Sequence, residues 1–107
     1  HDQSSAASDV YKRQAYVFLV IEAMAKAGIM SGLPPELAMR LARATVSGSG
    51  ELARLSEETA DQLRINVTSP GGTTAAALNV LMSDDGIQPI FDAAIKAAAK
   101  RSKELAG

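Results

Sequence analysis

The chain has 107 residues, a formal net charge of −1 at pH 7 and no cysteine, and aromatic residues make up only 4% of it. This length predicts one domain, and a nucleic-acid partner is not expected because phosphate binding requires clustered Lys and Arg. The absence of cysteine excludes disulfides and thiolate metal sites and is typical of a cytoplasmic protein. The only histidine is His1, so we expect neither a metal site nor histidine catalysis. No apolar run approaches the ~20 residues that a bilayer requires, so we expect no membrane partner.

Residues 1–14, with the sequence HDQSSAASDVYKRQ, are polar and show no periodic pattern. We interpret them as a tail outside the domain that is either disordered or foreign to it, and a native flexible tail is the alternative. The domain itself is then predicted to cover residues 15–107.

The first predicted helix covers about residues 15–31 and is apolar on nearly every side, interrupted by Glu22 and Lys26. A helix that is apolar all round must also be buried all round. A chain of this length has little material to surround such a helix. We therefore predict that a second subunit supplies the missing cover.

The second predicted helix begins at Pro35, since proline is favoured as the first residue of a helix, and it extends to about Leu55. Gly48 and Gly50 lie inside it, and each costs about 1 kcal/mol within a helix. Either a neighbour packs closely against the two glycines and the helix continues, or the helix breaks there. We favour continuation.

Three shorter predicted helices follow. Thr59 can cap the third helix, because its hydroxyl oxygen can accept from an amide of the first turn. The fourth starts near Gly72 or Thr73, and the last covers about residues 87–105, with an apolar stripe and several cations near its end. No strand pattern occurs in the chain. The predicted fold is therefore all-α, with about five helices.

The stretch SPGGTT, from Ser69 to Thr74, interrupts this helical pattern just before the fourth helix. The first turn of a helix has backbone N–H groups without intrahelical partners, and these groups attract anions. Gly71 and Gly72 allow the backbone to approach a ligand closely, and Ser69, Thr73 and Thr74 add hydroxyl donors. Such a pattern can hold a small carboxylate without any basic side chain. The alternative is a Pro-Gly turn followed by Ser and Thr caps, with no ligand, and it is the better interpretation of these six residues when they are considered alone.

Glu57 and Glu58 precede the third helix. A carboxylate at this position can accept a hydrogen bond from an N–H group of a ligand. A solvated side chain is the alternative, and it is the better interpretation of these two residues when they are considered alone.

Three stretches of the chain resemble one known family, the pyrroline-5-carboxylate reductases. The stretch QLRINVTSPGGTTAAALNVL is similar to the signature of these enzymes. The stretch AYVFLVIEAMAKAGIMSGLPPELAMRLARATV resembles the helix pair that precedes the signature, and GIQPIFDAAIKAAAKRSKEL resembles the closing helix. The resemblance covers about residues 15–106.

The resemblance implies an all-helical domain that interlocks with its copy in a homodimer or larger assembly. It also implies reduction of Δ1-pyrroline-5-carboxylate to L-proline with NADPH or NADH as the hydride donor. Ser69, Gly72, Thr73 and Thr74 match the loop that holds the substrate carboxylate. The hydroxyl of Thr74 matches the catalytic hydroxyl that hydrogen-bonds the ring nitrogen, and Glu57 aligns with an acidic residue linked to substrate recognition.

The chain departs from the family pattern before its first helix. Family members have Ser-Gly-Ser-Gly-Pro there, whereas this chain has YKRQ at 11–14, which supports the interpretation of residues 1–14 as foreign. Nothing before Ala15 can supply the βαβ units of a dinucleotide-binding domain. We therefore expect a fragment that supplies the substrate loop and the dimer interface, has no cofactor site of its own, and is inactive by itself. The alternatives are a stand-alone structural dimerisation module without a ligand and, with less support, the helical domain of another dehydrogenase.

Overall fold

The computed structural model describes the backbone of residues 2–107 and the side chains of residues 13–107. His1, on which the expectation about histidine chemistry depends, lies outside this range. The described residues form five α-helices and no strand: α1 (Asp2–Met30), α2 (Pro35–Leu55), α3 (Ala60–Asn66), α4 (Thr73–Leu81) and α5 (Ile87–Ala106). The predicted all-α class with about five helices is confirmed.

The helix boundaries agree with the sequence pattern except at the start of α1. This helix begins at Asp2 rather than near Ala15, because polar residues can adopt helical backbone without an apolar period. The helical backbone does not decide whether residues 1–14 belong to the domain, and that interpretation stays a prediction. Among the described residues, no helix is both long and apolar enough to cross a bilayer.

The predicted continuation of α2 through its two glycines is confirmed, since the helix runs unbroken from Pro35 to Leu55. A Cβ atom added at Gly48 or Gly50 would meet no atom of the described chain within 4 Å. The described residues therefore do not supply the close neighbour that we considered as the reason for these glycines. The length of the helix, with a strongly amphipathic sequence, offsets the cost of the two glycines.

The chain divides into two compact units, His1–Glu57 and Glu58–Gly107. In the first unit α1 packs against α2, and the buried residues are Ala25, Ala38 and Ala42. A Cβ atom added at Gly28 would lie 3.2 Å from Leu33 Cδ1 and 3.4 Å from Ala38 Cβ. Small side chains therefore allow the close approach of α1 and α2.

The second unit contains α3, α4 and α5, and none of these helices contains a buried residue. Local hydrogen bonds hold its turns. Thr59 is the N-cap of α3, as predicted, and its side chain accepts from the Gln62 N–H at 3.4 Å. Apolar packing within the unit is slight, so the hydrogen bonds at the helix ends decide its local geometry.

Both units expose large apolar side chains. Phe18 is 60% exposed on α1, and Leu55 is 65% exposed at the end of α2. In the second unit Val80 is 70% exposed and Ile90 is 64% exposed. A soluble monomer rarely leaves so much apolar surface uncovered. The predicted need of α1 for cover from outside the chain is therefore shared by α2, α4 and α5.

The turn between α4 and α5 has no room for a side chain at Gly86, the N-cap of α5. An added Cβ atom would overlap the Leu81 carbonyl and lie 2.9 Å from the Ser83 carbonyl oxygen. We expect Gly86→Ala to lower the free energy of unfolding by about 1–3 kcal/mol, the usual cost of overpacking. Urea unfolding followed by circular dichroism measures this change. Asp85→Ala, at the neighbouring exposed position, serves as the control, and equal stability of the two variants would contradict the prediction.

The pKa of Asp61, in the first turn of α3, lies below its ordinary value of 3.8, first because of a hydrogen bond from the Thr59 side chain and then because of backbone N–H groups. A carboxyl group whose pKa is lowered by folding stabilises the folded state above its unfolded pKa, and this contribution is lost as the pH falls through the folded pKa. We expect Thr59→Val to raise the pKa of Asp61 toward 3.8, and Thr59→Ser to leave it low. An NMR titration of the Asp61 carboxyl carbon measures both values, and an unchanged pKa in Thr59→Val would contradict this assignment of the cause.

Candidate functional site

The residues Ser69 to Gly72 form a tight turn immediately before α4. The Gly72 N–H donates to the Ser69 carbonyl oxygen at 3.1 Å. Pro70 occupies the second position of the turn, and Gly71 occupies the third with a φ of 71°. Proline at the second position and a positive φ at the third are the marks of a type II turn. The dipeptide Pro-Gly therefore specifies the shape of this loop.

Helix α4 begins directly after this turn. Gly72 is the N-cap, with extended backbone, and its carbonyl oxygen accepts the first helical bond, from Ala76 N at 3.1 Å. The N–H groups of Thr73, Thr74 and Ala75 have no acceptor among the described residues. Three neighbouring donors at the positive end of a helix form a place where an anion is stabilised.

The hydroxyl groups around this helix start are also without protein partners in the described part of the chain. No side chain caps α4, and Ser69, Thr73 and Thr74 are exposed. The alternative of a Pro-Gly turn with Ser and Thr caps therefore agrees with the structure in its turn. It differs from the structure in its caps, because no side chain caps α4. Three hydroxyls and three amides stay available to a ligand.

The two glycines of the turn are needed for different reasons. A Cβ atom added at Gly71 would meet nothing within 4 Å, but a φ of 71° is strained for any residue with a side chain. At Gly72 an added Cβ atom would lie 3.3 Å from the Ser69 carbonyl oxygen. Gly71 thus supplies the backbone conformation, and Gly72 allows the turn to close.

The two acidic residues before α3 differ in their surroundings. Glu58 accepts from Asn66 Nδ2 at 3.0 Å, and Asn66 Oδ1 accepts from Gln62 Nε2 at 2.8 Å. Glu58 is exposed, so the solvated interpretation stays open for it, with the bond to Asn66 as an addition. Glu57 is exposed and is the last residue of the first unit, and its assignment to the substrate stays a prediction.

Thr68 is a residue near the site that the sequence analysis missed. Its side chain is partly buried, and its hydroxyl donates to the Arg64 carbonyl oxygen at 2.6 Å. The sequence could have identified Thr68 as a threonine just after a short helix, since Thr hydroxyls often donate to carbonyl oxygens of the preceding turn. This side chain lies between the end of α3 and the turn that begins at Ser69.

Comparison with known proteins gives a match over most of the chain. Residues 12–105 match the family model described as pyrroline-5-carboxylate reductase dimerisation. The chain is 47% identical over 91 residues to the pyrroline-5-carboxylate reductase of Pisum sativum, a match that covers 85% of this chain and 33% of the relative. It is 46% identical over 91 residues to the enzyme of the same name from Synechocystis, a match that covers 85% of this chain and 34% of the relative.

Two solved structures are similar to this chain in fold. A pyrroline carboxylate reductase from Plasmodium falciparum, with NADP bound, superposes with a TM-score of 0.81 at 36% identity, over 88% of this chain and 36% of that chain. A pyrroline-5-carboxylate reductase from Coxiella burnetii superposes with a TM-score of 0.81 at 43% identity, over 86% of this chain and 34% of that chain. The chain thus spans about a third of the length of the curated relatives that it matches.

Proposed function

Because the chain belongs to the pyrroline-5-carboxylate reductase dimerisation family, we propose that it supplies the dimer interface and the substrate-carboxylate site of such an enzyme. The proposed reaction is the reduction of Δ1-pyrroline-5-carboxylate to L-proline with NADPH or NADH. Dinucleotides bind to βαβ units in enzymes of this kind, whereas the described residues are helical. We infer that the main cofactor site of the proposed enzyme lies outside these helices.

The main support for the proposed substrate site is the start of α4. The substrate has one carboxylate and one imine nitrogen. The free N–H groups of Thr73, Thr74 and Ala75 can hold the carboxylate, and the Ser69 and Thr73 hydroxyls can add further donors. Hydrogen bonds to a charged acceptor are among the stronger ones in proteins. The site thus binds an organic acid without any basic side chain.

Thr74 is the proposed catalytic residue. When its hydroxyl donates to the ring nitrogen, it draws electron density from the imine carbon, which makes that carbon a better acceptor of hydride. As the carbon gains the hydride, the nitrogen takes a proton from the Thr74 hydroxyl, which takes one from solvent in turn, so the C=N bond becomes the C–N bond of proline. NADPH or NADH supplies the hydride in the full enzyme. The resemblance to the family supports this role, and so does the hydroxyl of Thr74, which is exposed and has no hydrogen bond to another described residue.

The binding site can be tested on the 107-residue chain itself. We expect L-proline to shift the amide NMR signals of Gly71 to Ala75 and to leave those of α5 unchanged. L-Prolinamide lacks the carboxylate and is expected to cause much smaller shifts. If L-proline causes no shift at these amides, the carboxylate site is wrong, and the alternative of a structural dimerisation module without a ligand is favoured.

We expect the 107-residue chain to have no reductase activity of its own, because the reaction requires a bound hydride donor. The measurement is the loss of absorbance of NADPH in the presence of pyrroline-5-carboxylate. Turnover well above the rate without protein would contradict this expectation. Fusion to a dinucleotide-binding domain is expected to restore turnover.

We also propose that the partner of the chain is a second copy of itself. The exposed apolar side chains of α1, α2, α4 and α5 support this, as does the description of the matching family as a dimerisation domain. The proposed compartment is the cytoplasm, which is supported by a sequence without cysteine. The substrate is the only other partner that we propose.

A further inference from the structure

The short helix α3 is held by hydrogen bonds at its ends rather than by packing. It has seven residues, and none of them is buried. Isolated helices of fewer than about 12 residues are marginal in water, so the end contacts decide whether α3 keeps its shape. Thr59 caps the start, and Thr68 bonds back to Arg64 at the other end.

Thr68 connects this helix end to the turn of the carboxylate site. Its hydroxyl donates to the Arg64 carbonyl oxygen at 2.6 Å, and its own N–H donates to the Ile65 carbonyl oxygen at 3.1 Å. Both donors of Thr68 are thus used within α3. The next residue is Ser69, whose carbonyl oxygen accepts the Gly72 N–H and closes the turn.

We propose that Thr68 is a positioning residue of the carboxylate site, an inference that rests on the function proposed above. Its hydroxyl already donates to the Arg64 carbonyl oxygen. Thr68 therefore affects the ligand only through the direction in which the backbone enters the turn. With the bond intact, the Ser69 carbonyl stays in place for the Gly72 N–H, and the three free amides of α4 keep one common direction. When the bond is lost, the binding-competent turn becomes a smaller fraction of the population, and the apparent dissociation constant rises in proportion.

The first test needs no ligand. We expect Thr68→Val, which keeps the shape of the side chain but removes the hydroxyl, to speed up hydrogen exchange of the Gly72 N–H by about fivefold, the factor that one ordinary hydrogen bond provides. Exchange in α5 is expected to stay unchanged, which shows that the fold is intact. Thr68→Ser keeps the hydroxyl and is expected to behave like the wild type. Thr68→Ala also removes the hydroxyl, but alanine lacks the β-branch that valine keeps. We expect it to have the same effect on exchange as Thr68→Val.

Thr45→Val is a matched control. The Thr45 hydroxyl donates to the Leu41 carbonyl oxygen at 2.7 Å, four residues back, so the same substitution removes the same kind of bond within α2. We expect no change in the exchange of the Gly72 N–H in this variant. A general loss of stability on removal of a threonine hydroxyl would speed up this exchange in both variants.

The second test uses L-proline as the probe. We expect Thr68→Val to weaken L-proline binding by up to about fivefold, the limit that is reached when the open turn predominates, while Thr68→Ser and Thr45→Val bind as the wild type does. Equal exchange of the Gly72 N–H in the wild type and in Thr68→Val overturns the inference, whether or not L-proline binds. Faster exchange with unchanged affinity also overturns it, since the turn would then have no effect on the site. The absence of L-proline shifts in the wild type contradicts the proposed function instead.

Discussion

Replacement of Phe18 by aspartate is expected to raise the dissociation constant of the self-association by at least about a hundredfold, since the loss of a buried Phe side chain costs about 3–5 kcal/mol. Phe18 is 60% exposed within the chain and lines a mostly apolar groove in the first unit, together with Ile21, Met39 and Val46 and with the charged Glu22 and Arg43. If a second copy covers this groove, aspartate also places an unpaired charge in an apolar environment. Sedimentation equilibrium at micromolar concentration measures the change.

Two controls separate association from folding. Ser102→Asp adds the same charge at an exposed polar position of α5 and is expected to leave association unchanged. Phe18→Leu keeps an apolar side chain and is expected to retain most of the affinity. Circular dichroism shows whether Phe18→Asp remains helical once dissociated. A wild-type chain that sediments as a folded monomer, or a Phe18→Asp variant that associates as tightly as the wild type, would contradict the proposed dimer.

The second large effect is expected at Gly71, where valine should weaken L-proline binding by about five- to a hundredfold. Gly71 has a φ of 71°, and a β-branched residue rarely adopts a positive φ. Strain of this kind costs about 1–3 kcal/mol, and about 1.4 kcal/mol corresponds to a factor of ten in binding. We therefore expect the turn to open and the amides at the start of α4 to lose their common direction. NMR titration with L-proline measures the affinity.

Gly71→Asn is the matched control for the valine variant. Asparagine tolerates the left-handed region better than other residues with side chains, and a Cβ atom at this position meets nothing within 4 Å. We expect Gly71→Asn to keep the turn and to bind L-proline within about threefold of the wild type. If valine and asparagine weaken binding equally, the backbone conformation of Gly71 is not the cause. If neither has an effect, the ligand does not use this turn.

The helical pattern of the chain was predictable because it depends on local features. The apolar period identified the helices, Pro35 marked the start of α2, and Thr59 was correctly identified as a cap. Likewise, the order Ser-Pro-Gly-Gly is enough to predict a turn before α4, since proline restricts φ and glycine allows a positive φ. The start of α1 at Asp2 was not predicted, because polar residues show no period whether or not their backbone is helical.

The amino-acid sequence by itself determined the all-α class, the turn at Ser69–Gly72 and the need of α1 for outside cover, because periodicity, proline and glycine act over a few neighbouring residues. Only the folded structure decided that the amides of Thr73 to Ala75 have no acceptor among the described residues and that the Thr68 hydroxyl donates to the Arg64 carbonyl oxygen. The physical reason is that a hydrogen bond requires a donor and an acceptor in a specific direction. That direction depends on how successive turns follow one another, which the side-chain pattern alone does not specify.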